Sequence, residues 1–150
     1  MKPTNIDNCI VSKIIGETLG IKFRNEEYRL ASWRDTDNYC KIFDNAYMLI
    51  KCEKGQKHPN TNVLKLYAFL EENPNIKLVL LHYFFPESNA PKNRLALCDF
   101  IAKKMEQHFP ERFQYLKLPK DIGSIPSFLQ QKRNGLMGNL LKYKMKADHN

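Results

Sequence analysis

The sequence predicts an α/β protein of the α+β type: an αβββαβ core with a mixed β-sheet flanked by helices, an added α-β unit and a basic C-terminal helical tail. Apolar residues recur with helical and strand periods in the order α-β-β-β-α-β-α-β. The segment from Ile76 to Phe85 is apolar except for Lys77 and His82, as expected of a central strand covered on both faces. A chain of 150 residues, 43% of them hydrophobic, is long enough for one compact domain with a core.

The first half of the chain predicts one helix followed by three strands. Asn5 to Leu19 carries apolar residues at helical spacing, and Gly20 is placed to end this helix. The segments that follow favour β-structure and are separated by turn-forming residues. In order, they are the strand Tyr28 to Trp33, the turn Arg34 to Asp37, the strand Asn38 to Phe43, the turn Asp44 to Asn45 and the strand Tyr47 to Cys52.

The second half alternates helices with strands, which favours parallel pairing. Thr61 or Asn62 can cap a helix that ends near Asn73 and Pro74. We expect a core domain over residues 1–118 and a basic helical extension over 119–150, packed on or beside it. The elements after the apolar strand are the helix Lys92 to His108, the strand Phe113 to Leu118, and one or two short helices from Ile125 to Met145 interrupted at Gly135 and Gly138.

The charge of the chain predicts a polyanionic partner. Lys and Arg number 24 against 16 Asp and Glu, which gives a net charge of +8. Residues 117–150 hold seven basic and two acidic residues and so carry +5 of that charge. The tail is interpreted in two ways that can both hold: its apolar side packs on the domain with the lysines in solvent, or it lies along a phosphate backbone.

Several other classes of protein are disfavoured by the sequence. No apolar run approaches the roughly 18 residues that a membrane span requires, and the N-terminus is polar, so a cytoplasmic protein without a membrane partner is expected. No Gly-rich phosphate loop follows a predicted strand, which disfavours an enzyme on small phosphorylated substrates. The cysteines form no CxxC pair and are interpreted as reduced, buried thiols; they are Cys9, Cys40, Cys52 and Cys98.

Charged residues gather at one end of the second and third predicted strands. A turn at residues 44–46 would place Tyr39 opposite Lys51 and Asp37 opposite Glu53. Two facing carboxylates are costly unless a cation lies between them, and hard oxygen ligands suit Mg²⁺ or Mn²⁺. Because side chains alternate along a strand, Lys51 and Glu53 would share one face.

These residues resemble the PD-(D/E)xK nuclease superfamily, the fold of many restriction enzymes and repair nucleases. The resemblance covers Asn5 to Leu118 and consists of the αβββαβ order, an acid on the second strand, and an acid and a lysine two residues apart on the third. It implies a nuclease that hydrolyses phosphodiester bonds in DNA, with Mg²⁺ or Mn²⁺ held by Asp37 and Glu53. The segment reads Lys51-Cys52-Glu53, which reverses the acid-x-Lys order of the family.

The resemblance also assigns the remaining catalytic groups. The catalytic lysine would be Lys51. It could also be Lys65, since the family tolerates migration of the lysine to the following helix. Gln56 and Glu17 are further candidates for the catalytic site. Asp35 or Asp44 would take the place of Asp37 if the two strands of the hairpin paired in a different register. His82, inside the apolar strand, is interpreted as a hydrogen-bonded core histidine rather than a ligand.

The reversed motif leaves two functions open. One is a metal-dependent endonuclease that acts as a homodimer, because a lone domain would cut one strand per encounter. The other is a catalytically inactive protein on the same fold that binds nucleic acid or another protein. The residues expected to contact nucleic acid are Lys54, Lys57, His58, Lys132, Arg133, Lys142 and Lys144.

Overall fold

The computed structural model describes the backbone of residues 5–23, 28–30, 34–36, 38–53, 59–88 and 90–149, and the side chains of residues 10–23, 40–42, 44–53, 59–88 and 90–138. Within these residues the helices are α1 (Asn5–Leu19), α2 (Pro59–Glu72), α3 (Lys92–His108) and α4 (Ile125–His149). The strands are β1 (Tyr28–Leu30), β2 (Arg34–Thr36), β3 (Asn38–Phe43), β4 (Ala46–Glu53), β5 (Lys77–Phe84) and β6 (Phe113–Lys117), and a 3-10 turn spans Ile122–Ser124.

The central sheet has the order β3-β4-β5-β6, with β3 antiparallel to β4 and the remaining pairs parallel. Helices α2 and α3 lie between the parallel strands in sequence, as crossover connections require. The short strands β1 and β2 form a separate antiparallel ribbon. The predicted α+β class, with a mixed sheet flanked by helices, is therefore confirmed.

The turn predicted at residues 34–37 is wrong. Arg34–Thr36 is strand β2, and its ladder with β1 runs from Tyr28 opposite Thr36 to Leu30 opposite Arg34. Asp and Thr are common in turns, but they also remain extended where a neighbouring strand offers backbone partners. The predicted first strand therefore contains β1, the predicted turn contains β2, and residues 31–33 between them lie outside the described part.

The register predicted for the hairpin is also wrong. Tyr39 pairs with Leu49 rather than with Lys51, because the turn has only two residues and a bulge lies between Lys41 and Phe43. The described ladder ends where Asn38 meets Ile50 and does not reach Glu53. The difference between the predicted and observed partners is two residues, so every side chain keeps its predicted face.

The sheet separates two apolar clusters. Met48 and Ile50 of β4 face α1 and α4, whereas Leu49 faces α2 and α3, as the period of two predicts. Strand β5 is buried at all eight positions, which matches the covered strand expected from its apolar run. Among the described residues, no helix combines the length and apolar character that crossing a membrane requires.

Helix α4 is continuous, although Gly135 and Gly138 were predicted to interrupt it. A glycine costs a helix about 1 kcal/mol relative to alanine. This cost is offset by burial of Ile125, Leu129 and Leu136 in the apolar cluster on the face of the sheet that α1 covers. The apolar side of the tail thus packs on the sheet.

Two basic side chains join the amino end of β5 to the elements around it. The Arg112 guanidinium donates to the carbonyls of Leu70 at 2.8 Å, Asn73 at 2.7 Å and Ile76 at 3.1 Å. Lys77 is 1% exposed, and its Nζ donates to the carbonyl of Glu111. Burial lowers the pKa of Lys77 from its usual value, and the charge of Glu111 opposes that shift. Arg112 therefore closes the crossover from α2 into β5.

Arg112→Ala is expected to lower the free energy of unfolding by roughly 3 kcal/mol, because three partly buried carbonyls lose a charged donor. Arg133→Ala removes an exposed guanidinium from α4 and is expected to change it by less than about 0.5 kcal/mol. Urea unfolding of both variants measures the difference. Equal stability of the two variants would show that the Arg112 contacts contribute nothing.

Candidate functional site

Several of the described polar side chains that could take part in binding or catalysis lie at the carboxyl ends of the parallel strands. Glu53 ends β4 and lies opposite Phe84, the last residue of β5. Two residues before Glu53 and Phe84, a row across β4, β5 and β6 is formed by Lys51, His82 and Lys117. Ligands of open α/β sheets bind outside the carboxyl ends of the strands. This edge of the sheet is therefore the candidate site.

Glu53 is fully buried, with 0% of its surface exposed. Its Oε1 accepts a hydrogen bond of 2.7 Å from Nδ2 of Asn62 and lies 2.9 Å from Nε2 of His82. The other oxygen, Oε2, is buried as well and has no hydrogen-bond donor among the described residues. The carboxylate is thus held through one oxygen, and its second oxygen is left without a partner there.

Asn62 reaches Glu53 because α2 starts earlier than predicted. The helix begins at Pro59, a residue suited to a first turn, so Asn62 lies inside the helix rather than capping it. Val63 and Leu66 bury their side chains against the sheet and fix the rotation of the helix. The Asn62 amide can therefore project toward the end of β4.

His82 connects Glu53 to the third strand. Its Nδ1 lies 2.7 Å from the hydroxyl of Tyr115 on β6, and its side chain is 0% exposed. Burial, followed by the charges of Cys98, Asp99 and Glu53, raises the pKa of Tyr115, so its hydroxyl stays protonated and able to donate. His82 is a hydrogen-bonded core histidine, as the sequence predicts. We call Glu53, Asn62, His82 and Tyr115 the Glu53 network.

Lysines lie around the Glu53 network. Lys51 is half-buried and precedes Glu53 by two residues on the same face of β4. Lys65 is half-buried on α2, three residues after Asn62 and so on a neighbouring part of the helix surface. Lys117 lies 3.7 Å from Asp99 and 5.6 Å from the centre of the Phe84 ring. Three cations therefore come from three different elements at this edge.

The structure brings together only part of the site predicted from the sequence. Glu53 and Lys51 share a face, and Lys65 lies on the helix that contacts Glu53 through Asn62. Lys132 and Arg133 are exposed on α4, which packs on the opposite face of the sheet. The predicted residues that lie outside the described part are Asp37, Lys54, Gln56, Lys57 and His58, together with the side chains of Asp35, Lys142 and Lys144.

Two further acids named from the sequence lie away from Glu53. Asp44 is in the turn before β4, 3.5 Å from Lys41, so the whole length of β4 separates it from Glu53 and the prediction that it could replace Asp37 is wrong. Glu17 is exposed on α1, which covers the other face of the sheet. Neither acid can share a cation with Glu53, because metal–oxygen distances are about 2–2.6 Å.

Asn62 and Tyr115 were missed as members of the site. A signal for them existed in the sequence, because a histidine inside a buried strand needs hydrogen-bond partners from its neighbours. Tyr115 lies on the adjacent parallel strand and Asn62 on the preceding helix, and tertiary packing brings both of them to the Glu53–His82 pair. Identifying them required the strand order and the register.

The described residues fit a divalent cation at one point only. Oε2 of Glu53 is an unpartnered carboxylate oxygen, the type of ligand that Mg²⁺ and Mn²⁺ prefer. No group of three His, Cys, Asp or Glu side chains that could hold a metal occurs in the described part of the chain. A complete site would thus need a ligand from elsewhere, such as Asp37.

No protein-family model matches this chain, and neither a curated protein nor a solved structure was found to match it. The chemistry of the site therefore has to be argued from its own residues. The resemblance to the PD-(D/E)xK superfamily stays a hypothesis.

Cys98 tests whether α3 covers the Glu53 network. The residue is 1% exposed, and burial, assisted by the charge of Glu53, raises the pKa of its thiol to about 12. We expect iodoacetamide to alkylate Cys98 at least about 100-fold more slowly than the half-exposed Cys40, because the thiolate is the reactive form. Peptide mass spectrometry of a time course, with unfolded protein as control, measures both rates. Equal rates in the native protein would contradict the packing of α3.

Proposed function

We propose that the chain is a metal-dependent nuclease that hydrolyses phosphodiester bonds in DNA, with its active site at the carboxyl end of β4. The observation that carries this proposal is the Glu53 carboxylate, which is buried and held by Asn62 and His82 while Oε2 has no described donor. A buried unsatisfied carboxylate oxygen calls for a partner, and a divalent cation is one that matches its charge.

Glu53 would supply one ligand of the cation, and Asp37, the acid that the resemblance assigns to the second strand, would supply another. When bound, Mg²⁺ or Mn²⁺ polarises a phosphate oxygen and lowers the pKa of a water molecule. Lys51 or Lys65 would stabilise the charge that gathers on the phosphate during attack, and Gln56 is a further candidate for the catalytic site. Asn62 and His82 keep the carboxylate of Glu53 in one orientation.

The proposed substrate follows from charge. A net charge of +8 favours binding to a phosphate backbone, with an affinity that falls as salt rises. Cutting both strands of a duplex would require a second active site, which supports the proposal that the chain acts as a homodimer. We propose the cytoplasm as the compartment in which the protein acts.

Plasmid DNA incubated with the protein and Mn²⁺ or Mg²⁺ tests the nuclease. Glu53→Gln and Asp37→Asn are expected to lower kcat by at least about 100-fold, because each removes a charged ligand while keeping the side-chain shape. Glu72→Gln, which changes an exposed acid at the far end of α2, is the matched control and should cut like the wild type. A wild type that leaves DNA intact with both metals would overturn the proposal.

A second function is favoured by a different observation. Glu53 is 0% exposed, its Oε1 is occupied by two donors, and the described residues offer no group of three metal ligands. Together with the reversed Lys51-Cys52-Glu53 order, this supports a catalytically inactive module that binds nucleic acid or a protein. Such a module would use its basic surface and need no cation.

The binding module predicts metal-independent, salt-sensitive binding to DNA through α4. Replacing Lys132 and Arg133 together with Ala is expected to lower the slope of log Kd against log salt by about 2, since each phosphate contact contributes about 0.9. Fluorescence anisotropy in EDTA measures the slope. The matched control replaces Lys103 and Lys104, an adjacent exposed pair on α3, and should leave the slope unchanged. Binding that requires Mg²⁺, or an equal loss in both pairs, would contradict this function.

A further inference from the structure

The Glu53 network crosses three strands on a diagonal. Tyr115 lies opposite Leu80, two residues before His82, and Glu53 lies opposite Phe84, two residues after it. Each step from β6 to β5 to β4 therefore moves one strand across and two residues along. Side chains that share a face can bridge such a step, and here they do so at 2.7 Å and 2.9 Å.

Within the described part of the chain, one atom of this diagonal is left without a hydrogen-bond partner. A neutral histidine has one donor and one acceptor nitrogen. In the neutral tautomer with hydrogen on Nε2, His82 donates to Oε1 of Glu53 and its Nδ1 accepts from the Tyr115 hydroxyl, so both nitrogens have a partner. Asn62 donates to the same Oε1. Two donors on Oε1 fix the plane of the carboxylate and leave Oε2 as the atom without a described donor.

Stability alone does not explain this arrangement. Leu49, Leu80 and Phe84 belong to the apolar cluster on this face of the sheet, and a buried charged network that is replaced as a whole by apolar residues often leaves stability equal or higher. A buried polar network with one unsatisfied member is worse for stability than an apolar core. Tyr83, on the other face of the sheet, shows the structural alternative, because its hydroxyl donates to the carbonyl of Lys120 at 2.7 Å.

We propose that His82 and Tyr115 are positioning residues that hold the Glu53 carboxylate with Oε2 as its ligand atom, so that cation binding depends on a hydroxyl two strands away. This inference rests on the proposed nuclease function, in which Glu53 binds the cation. Groups that hydrogen-bond to a metal ligand orient it, and their loss typically weakens metal binding 10–100-fold. Neither residue contacts the DNA or the reacting atoms in this role.

Calorimetric titration of the full chain with Mn²⁺, in the absence of DNA, tests the inference through Tyr115→Phe. This variant keeps the ring and removes the hydroxyl, and its Kd for Mn²⁺ is expected to rise by at least about tenfold. Tyr83→Phe is the matched control, because it removes a buried strand tyrosine hydroxyl with one hydrogen bond on the opposite face. Its Kd should equal that of the wild type, and thermal melts verify that both variants fold.

A second pair of variants keeps the inference testable if Tyr115→Phe does not fold. The amide of His82→Gln can still donate to Glu53, whereas His82→Leu cannot, so His82→Gln should bind Mn²⁺ more tightly than His82→Leu. Wild-type affinity in Tyr115→Phe, an equal loss in Tyr83→Phe, or equal affinities of the two His82 variants would overturn the positioning role. In each of those cases, the nuclease proposal would still hold if the wild-type protein cleaved DNA. A wild type that neither binds Mn²⁺ nor cuts DNA would overturn both proposals.

Discussion

Complete burial of β5 is the constraint on which the rest of the structure depends. Its eight residues are covered on both faces, yet three of them, Lys77, His82 and Tyr83, carry polar groups. Water cannot solvate these groups, so the surrounding elements must supply their partners. Lys77 finds the carbonyl of Glu111 at one end of the strand, and His82 finds Tyr115 and Glu53 toward the other. The buried polar contacts of β5 follow from these requirements.

Glu53 is a buried acid, and neither solubility nor packing explains why an acid occupies this position. An acid selected only for solubility would be exposed, and one selected only for packing would be replaced by an apolar residue. Glu53 is neither, because it is covered by α2 while one oxygen has no described donor. Surface charge is much less specific, since any polyanion would satisfy a charge of +8. The carboxylate is therefore the feature that distinguishes this chain from a merely basic domain.

Local periodicity predicts the order of the elements and the face of each residue, because both depend on neighbours within a few positions. Met48 and Leu49 occupy opposite faces as expected, and β5 is the covered strand. The hairpin register was not predictable, since the bulge near Ile42 has no clear marker in the composition. The continuity of α4 through Gly135 depends on burial of distant side chains, which propensity does not contain. The partners of His82 likewise depend on strands that are far apart in sequence.

Arg112 has a consequence for how the molecule opens. Arg112 lies in the connection between α3 and β6, but its guanidinium bonds to the last turn of α2, to the segment after it and to the residue before β5. Loss of either crossover unit therefore breaks the same three bonds. Regions joined in this way are expected to exchange their amide hydrogens as one cooperative block rather than in succession. We therefore expect the two halves of the parallel sheet to open together, so that contacts at one end of the strands protect the edge that carries Glu53 at the other.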